Sequence, residues 1–180
     1  MNCRSLLVLG GARSGKSAYA LKMAEASAAS RIFLATAEPF DDEMRARIEA
    51  HRRERGDRWT TREAPIALVA AIDEAAGPQR IVLVDCLTLW LNNLDYRQID
   101  PSAAIDDLCS AIARLTGPVI LVSNELGLGL VPETPQGRSF RDWQGRLNSA
   151  VARACDSVVL IVAGLPLPLQ PAPGPDFRLG

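Results

Sequence analysis

The residues of this chain best suited to chemistry stand in one unbroken run, GGARSGKS, over positions 10–17. Gly10, Gly11, Ala12, Arg13, Ser14, Gly15, Lys16 and Ser17 together make a full G-x-x-x-x-G-K-[ST] phosphate loop. Successive backbone N–H groups of such a loop turn inward around phosphate oxygens, and glycine at its two fixed positions permits the close approach this needs. Lys16 is placed to reach the β- and γ-phosphates as a point charge, and the Ser17 hydroxyl to complete the shell of a Mg²⁺ ion. Nucleotide phosphate binding is the first expectation.

Three further groups could serve that site. Asp85 directly follows the apolar run Ile81-Val82-Leu83-Val84. An acid at the carboxyl end of a buried parallel strand can hold Mg²⁺ or its waters, and it can equally cap the segment 86–92 that follows. His51 is the only histidine. On a helix over 41–55 it shares a face with Met44, Ile48 and Arg55, the setting of a structural histidine. Its neighbours Arg45, Arg47, Arg52, Arg53, Arg55 and Arg58 could instead neutralise a triphosphate or a departing pyrophosphate and favour a neutral, nucleophilic imidazole. Both readings stand at this point. The polar run Ser123-Asn124-Glu125, with Gly127 and Gly129 behind it, reads either as a substrate loop or as a turn. Arg138, Arg141 and Arg146 lie where they could close over phosphates or merely decorate the start of a helix.

These groups need a scaffold, and the pattern of the chain supplies one. Short apolar strands are expected at 5–9, 31–35, 81–84, 119–122 and 158–162, with helices at 17–24, 41–55, 65–76, 101–115 and 141–154. Asp100 and Pro101 make a helix start, and Gly77-Pro78 and Gly117-Pro118 punctuate the entries to two strands. Continuous apolar strands separated by helices predict an α/β fold with a mostly parallel sheet covered on both faces. From Leu165 onward prolines alternate too densely for a helix or a central strand. The expected organisation is therefore one catalytic domain over 1–164 and an extended or disordered proline-rich tail over 165–180.

Composition limits the partners. With 180 residues, 48% of them hydrophobic, the chain suits one domain with a real core. A net charge of −1 suggests neither nucleic acid nor an anionic membrane surface. Cys3, Cys86, Cys109 and Cys155 are widely spaced and read as reduced thiols, not as a metal site. No membrane span and no secretory leader are expected, and the expected compartment is the cytoplasm.

The ordered set of motifs resembles a known family. It comprises the phosphate loop, Ala35-Thr36-Ala37, Asp41-Asp42-Glu43-Met44, Ala46-Arg47-Ile48 with His51, Trp59, Glu63, and Ser123-Asn124-Glu125 with Gly127 and Gly129. Val131-Pro132-Glu133 and Phe140-Arg141-Asp142 with Gly145, Arg146 and Asn148 complete it. Together these are similar to the bifunctional adenosylcobinamide kinase and adenosylcobinamide-phosphate guanylyltransferase of cobalamin biosynthesis. The resemblance implies a RecA-like phosphate-loop fold and a homotrimer. It implies phosphorylation of adenosylcobinamide by ATP or GTP, then transfer of GMP from GTP to adenosylcobinamide phosphate through a GMP-histidine. His51 matches the guanylylated histidine. Gly10 to Ser17, Ala35, Thr36, Ala37, Arg52, Arg53, Glu54, Arg55, Glu63 and Asp85 match nucleotide-binding positions, with Ser17 and Asp85 toward Mg²⁺. Some relatives carry Glu in place of Asp85, and some a second histidine in place of Ala50. The rival classes are a phosphate-loop kinase of another small molecule, which has no use for His51, and a nucleotide switch, for which no N-K-x-D guanine-reading run is present.

Overall fold

Each apolar run forms a strand because its side chains are buried on both faces of one sheet. The computed structural model describes residues 3–28, 30–38, 42, 45, 49, 53 and 56–171. In chain order these form β1 (Ser5–Gly10), α1 (Lys16–Ser27), β2 (Ser30–Ala35), a 3₁₀ turn (Gly56–Arg58), β3 (Thr60–Glu63), α2 (Leu68–Ala75), β4 (Arg80–Asp85) and α3 (Leu87–Tyr96). There follow α4 (Pro101–Ala113), β5 (Val119–Asn124), α5 (Pro135–Ala154), β6 (Ser157–Val162) and β7 (Leu165–Gln170). The strand order is β3-β2-β4-β5-β1-β6-β7, parallel throughout except for the antiparallel β6–β7 pair. The predicted mostly parallel α/β sheet is therefore present. Most of the predicted helix over 41–55 lies outside the described residues.

Strand alternation divides the core in two. Leu7, Leu9, Val82, Val84, Val119 and Leu121 face α2, α3, α4 and α5. Val8, Ile81, Leu83, Ile120, Val122 and Ile161 face the other way, where Ala20 and Ala24 of α1 lie fully buried. Alanine at those two positions lets α1 approach the sheet closely. Helix starts follow local chemistry. The Asp100 carboxylate accepts from Ser102 N–H ahead of Pro101, as expected, and the Thr134 hydroxyl accepts from Gly137 N–H ahead of Pro135. That second cap starts α5 six positions earlier than the apolar periodicity suggested. Among the described residues no helix is long and apolar enough to cross a membrane.

The boundary expected at residue 164 needs correction. Leu165–Gln170 is not a tail but β7, which pairs with β6 through the two-residue turn Ala163-Gly164. Both turn residues have positive φ, 50° and 79°, as a type I′ hairpin requires. Pro166 and Pro168 are tolerated because β7 is the edge strand, where a missing N–H breaks no internal ladder, and they blunt that edge against further pairing. The earlier exclusion of a helix or a central strand stands. β3 was not anticipated either. Its sequence Thr60-Thr61-Arg62-Glu63 lacks an apolar run because it is the opposite edge strand.

One carboxylate fastens the amino ends of β1 and β6. Asp156 Oδ2 accepts from Arg4 N–H (2.7 Å), Ser5 N–H (3.0 Å) and Ser5 Oγ–H (3.0 Å), while Ser5 Oγ accepts from Asp156 N–H (2.9 Å). The hydrogen bond from the Arg4 backbone, and after it those from Ser5, hold the Asp156 carboxyl below its usual range. A carboxyl whose pKa is lowered in the folded state contributes stability above its unfolded pKa and loses it as the pH falls through the folded value. We expect Asp156→Asn to cost about 1 kcal/mol at neutral pH, a modest figure because the group is solvent-screened. The wild-type advantage in melting temperature should shrink steadily as the pH is lowered through the acidic range. A pH-independent difference between the two proteins would exclude this account.

Candidate active site

The phosphate loop leaves β1 at Gly10 and enters α1 at Lys16, so strand, loop and helix occur in the order the motif needs. A Cβ on Gly10 would lie 2.4 Å from Ser14 Oγ and 2.9 Å from the Ile161 carbonyl, so the loop can fold back over the strand end only if that position carries no side chain. Gly15 has φ 93°, in the left-handed region that disfavours any side chain. Lys16 Nζ donates to the Gly11 carbonyl at 3.2 Å across the loop. The Ser14 hydroxyl is buried without a hydrogen-bond partner among the described residues. Two outside contacts brace the loop: Gly164 N–H donates to Ser14 O at 3.0 Å, and Glu125 N–H donates to Gly10 O at 3.1 Å. The β6–β7 turn thus supports the phosphate loop directly, a role no motif announced. The hairpin signal was hidden by the alternating prolines.

Asp85 ends β4, two strands from β1 and hence roughly 9.5 Å away across the sheet. Alternation from Ile81 and Leu83 turns it toward the α1 face, the face of the phosphate loop. The neighbouring thiol gives an independent sign of this arrangement. Burial pushes Cys86 up to about 11, the Asp85 carboxylate pushes in the same direction, and the Lys16 ammonium opposes both. The Lys16 ammonium and the Asp85 carboxylate thus both act on the Cys86 thiol. Their hard oxygen and ammonium groups suit a magnesium-bound polyphosphate. α3 has Cys86 at its N-cap, with no cap hydrogen bond from that side chain, and Asp85 stands one residue before it.

What lies behind Asp85 explains its position. Thr36 is fully buried, and its Oγ donates to Cys86 O at 2.7 Å and accepts from Cys86 N–H at 2.8 Å. Its hydroxyl thus ties the chain leaving β2 to the end of β4. Asn93 Nδ2 completes the brace, donating to Thr36 O (2.8 Å) and Pro65 O (3.0 Å). Ala35 pairs with Glu63 on one side and with Asp85 on the other. Glu63 is exposed at the carboxyl end of β3, and Ala35 and Ala37 are partly exposed along the same edge.

The remaining expectations divide. Arg53 is exposed and lines a cavity of about 640 Å³ with Glu49, Gly56, Asp57, Trp59 and Thr61. His51, Arg52, Glu54 and Arg55 lie outside the described residues. Arg138 and Arg141 are engaged with the backbone of their own loop, and Arg141 and Arg146 also line a cavity of about 680 Å³ with Arg153. Arg138 donates to the carbonyls of Pro132 and Glu133 and Arg141 to those of Gly129 and Leu130, so both secure the loop after β5. The Arg146 guanidinium stacks over Trp143 at 4.8 Å. The loop so held presents Leu128, Leu130 and Val131 to solvent.

Nucleophiles are scarce. All four cysteines are free, and each thiol is shifted upward chiefly by burial, Cys155 to about 12. Protonated thiols are poor nucleophiles at neutral pH. No histidine occurs among the described residues.

Comparison with known proteins agrees with this geometry. Residues 6–169 match the family described as cobinamide kinase / cobinamide phosphate guanyltransferase. The chain is 44% identical over 171 residues to the bifunctional adenosylcobalamin biosynthesis protein CobP of Pseudomonas aeruginosa, covering 93% of this chain and 98% of that protein. It is 38% identical over 175 residues to the bifunctional adenosylcobalamin biosynthesis protein CobU of Escherichia coli K12, covering 89% and 96% of the two. Among solved structures, a prototypical ATPase from a type III secretion system has a TM-score of 0.53 at 12% identity, covering 87% of this chain and 50% of that one. The RadB recombinase has a TM-score of 0.50 at 14% identity, covering 87% and 73%. These two likenesses concern the fold alone, a RecA-like phosphate-loop NTPase sheet. By the match along nearly its whole length, the chain belongs to the cobinamide kinase / cobinamide phosphate guanyltransferase family.

Proposed function

We propose that this protein phosphorylates adenosylcobinamide with a nucleoside triphosphate and then transfers GMP from GTP to the resulting phosphate, giving adenosylcobinamide-GDP in cobalamin biosynthesis. The observation that carries the reading is the braced phosphate loop facing Asp85, in a chain with that family membership.

In the kinase step the acceptor hydroxyl oxygen bonds to the γ-phosphorus, the bond to the β-phosphate oxygen breaks, and the hydroxyl proton passes to solvent or a base. Lys16 and the inward N–H groups of Gly11 to Lys16 meet the negative charge on the transferring group and on the departing diphosphate. In the guanylyl step a ring nitrogen of His51 bonds to the α-phosphorus of GTP and pyrophosphate leaves. A phosphate oxygen of adenosylcobinamide phosphate then attacks the same phosphorus, breaking the P–N bond and restoring the imidazole. The same cationic groups hold β- and γ-phosphates in both reactions, so one site serves two chemistries. Arg52, Arg53 and Arg55 add positive charge beside His51, and Glu54 belongs to the same nucleotide-binding stretch. Glu63, exposed at the end of the edge strand, would accept from the hydroxyls or the base of the same nucleotide.

The donors present fit Mg²⁺. The Ser17 hydroxyl has no hydrogen-bond partner among the described residues, and Asp85 offers a hard carboxylate on the same face. These two residues would hold Mg²⁺ beside the phosphates, where it would neutralise charge on the polyphosphate. We further propose a cytoplasmic homotrimer, which light scattering on the eluted protein tests directly against the monomer mass of 19.4 kDa.

Two outcomes are expected. With GTP labelled at the α-phosphate the protein should retain acid-labile label, with γ-labelled GTP it should not, and His51→Ala should retain neither. Retention of α-label by His51→Ala would exclude His51 as the nucleophile, and its absence from wild type would leave only a kinase. Lys16→Ala should lower the turnover of both reactions by about 100-fold or more, with little change in melting temperature. Loss of one activity alone would mean that the two reactions do not share a phosphate site.

A further inference from the structure

Asn124 closes β5, and its side chain has as yet no task. Ile120 and Val122 belong to the core on the α1 face, so alternation turns Asn124 onto the face of the phosphate loop and Asp85. In the sheet register Asn124 stands directly beside Gly10, where the loop begins, and on the strand between β1 and β4. It therefore ends the one strand that separates Lys16 and Ser17 from Asp85.

Its backbone is held at three points. Asn124 N–H donates to Thr88 Oγ1 at 2.9 Å, Asn124 O accepts from Asn148 Nδ2 at 2.9 Å, and the next N–H, of Glu125, donates to Gly10 O. Asn148 is itself fixed, its Oδ1 accepting from Ser123 Oγ at 2.7 Å and from Gln144 Nε2 at 2.9 Å, with Gln144 and Asn148 at 1% and 5% exposure. These bonds satisfy most of the polar atoms buried behind this strand end, Gln144 Oε1 alone of the group staying without a partner among the described residues. The side-chain amide that this brace presents is half-buried and has no hydrogen-bond partner among the described residues.

We propose that the Asn124 side-chain amide reads the terminal phosphate of the bound nucleoside triphosphate, its N–H donating to a γ-phosphate oxygen, with Thr88 and Asn148 as the positioning residues that aim it. The inference rests on the phosphate-loop nucleotide reading above. A neutral amide suits the position. It donates to the anion and adds no charge beside Asp85, and its oxygen is free to accept from an approaching hydroxyl. The contact exists only with a triphosphate, so it separates substrate from spent diphosphate.

The test is direct binding to purified full-length protein, with magnesium, of GDP and of the non-hydrolysable GTP analogue with an imido β,γ-bridge. In Asn124→Ala the affinity for GDP should stay at the wild-type value. The preference for the triphosphate should fall about tenfold, equal to ~1.4 kcal/mol. Asn124→Asp keeps the shape and adds a negative charge, so it should lose more of that preference. It also serves as the measured variant should the alanine protein not fold. Kinase kcat should fall in both variants while the KM for adenosylcobinamide holds. An unchanged triphosphate preference in a folded variant overturns the inference, as does an equal loss for both nucleotides, which is the mark of a merely structural role. Wild-type protein that binds neither nucleotide overturns the nucleotide reading itself and this inference with it.

Discussion

Everything functional in this protein depends on one tight reversal of the chain between β1 and α1. Inside the loop Ser14 N–H donates to Gly11 O at 3.3 Å, and neighbouring elements hold the rest of its shape. Here they do so from two sides. The tip of β5 donates to the carbonyl of Gly10, and the β6–β7 turn donates to that of Ser14. Both contacts use carbonyl oxygens and so occupy none of the loop's N–H groups, the donors that such a loop turns toward an anion. A loop shaped before the ligand arrives loses little further freedom on binding, which is where preorganised electrostatic sites gain their effect.

The strand order follows from the same constraint. β1 must lie between β5 and β6 for both braces to reach the loop, and β4 must lie one strand further for Asp85 to face it. The carboxyl ends of these strands are then kept level by buried polar groups rather than by apolar packing. Thr36 and Asn93 fasten the ends of β2 and β4, while Ser123, Gln144 and Asn148 fasten the end of β5. Apolar contacts tolerate small slips, but hydrogen bonds at 2.7–3.0 Å do not. Directional bonds are placed where position matters most.

The chemistry assigned to the family is consistent with what the scaffold does and does not offer. Lys16 lies across the phosphate loop, and the buried thiols Cys86 and Cys155 are held protonated. The nucleophile we propose for the covalent step is instead the single histidine of the chain. Two reactions at two phosphorus atoms of one nucleotide need only that different acceptors approach a common phosphate clamp.

Much of this was legible in the sequence, because the phosphate loop, the apolar strands, the Asp100 and Pro101 helix start and the acid after β4 are local signals. Each depends on residues a few positions apart, and local backbone chemistry determines them. Only the tertiary structure decided the rest. Residues 165–170 read as a tail because proline is judged by the bonds it lacks, and those bonds are not needed on an edge strand. Thr36 could be matched to a binding motif, yet only folding showed its hydroxyl turned inward against Cys86. Nothing in the sequence announced the loop carbonyls that Arg138 and Arg141 hold. Contacts between strands and helices far apart in the chain carry no local signature, so residues 5–17 declare a phosphate site while the parts that hold it in shape emerge only when the sheet assembles.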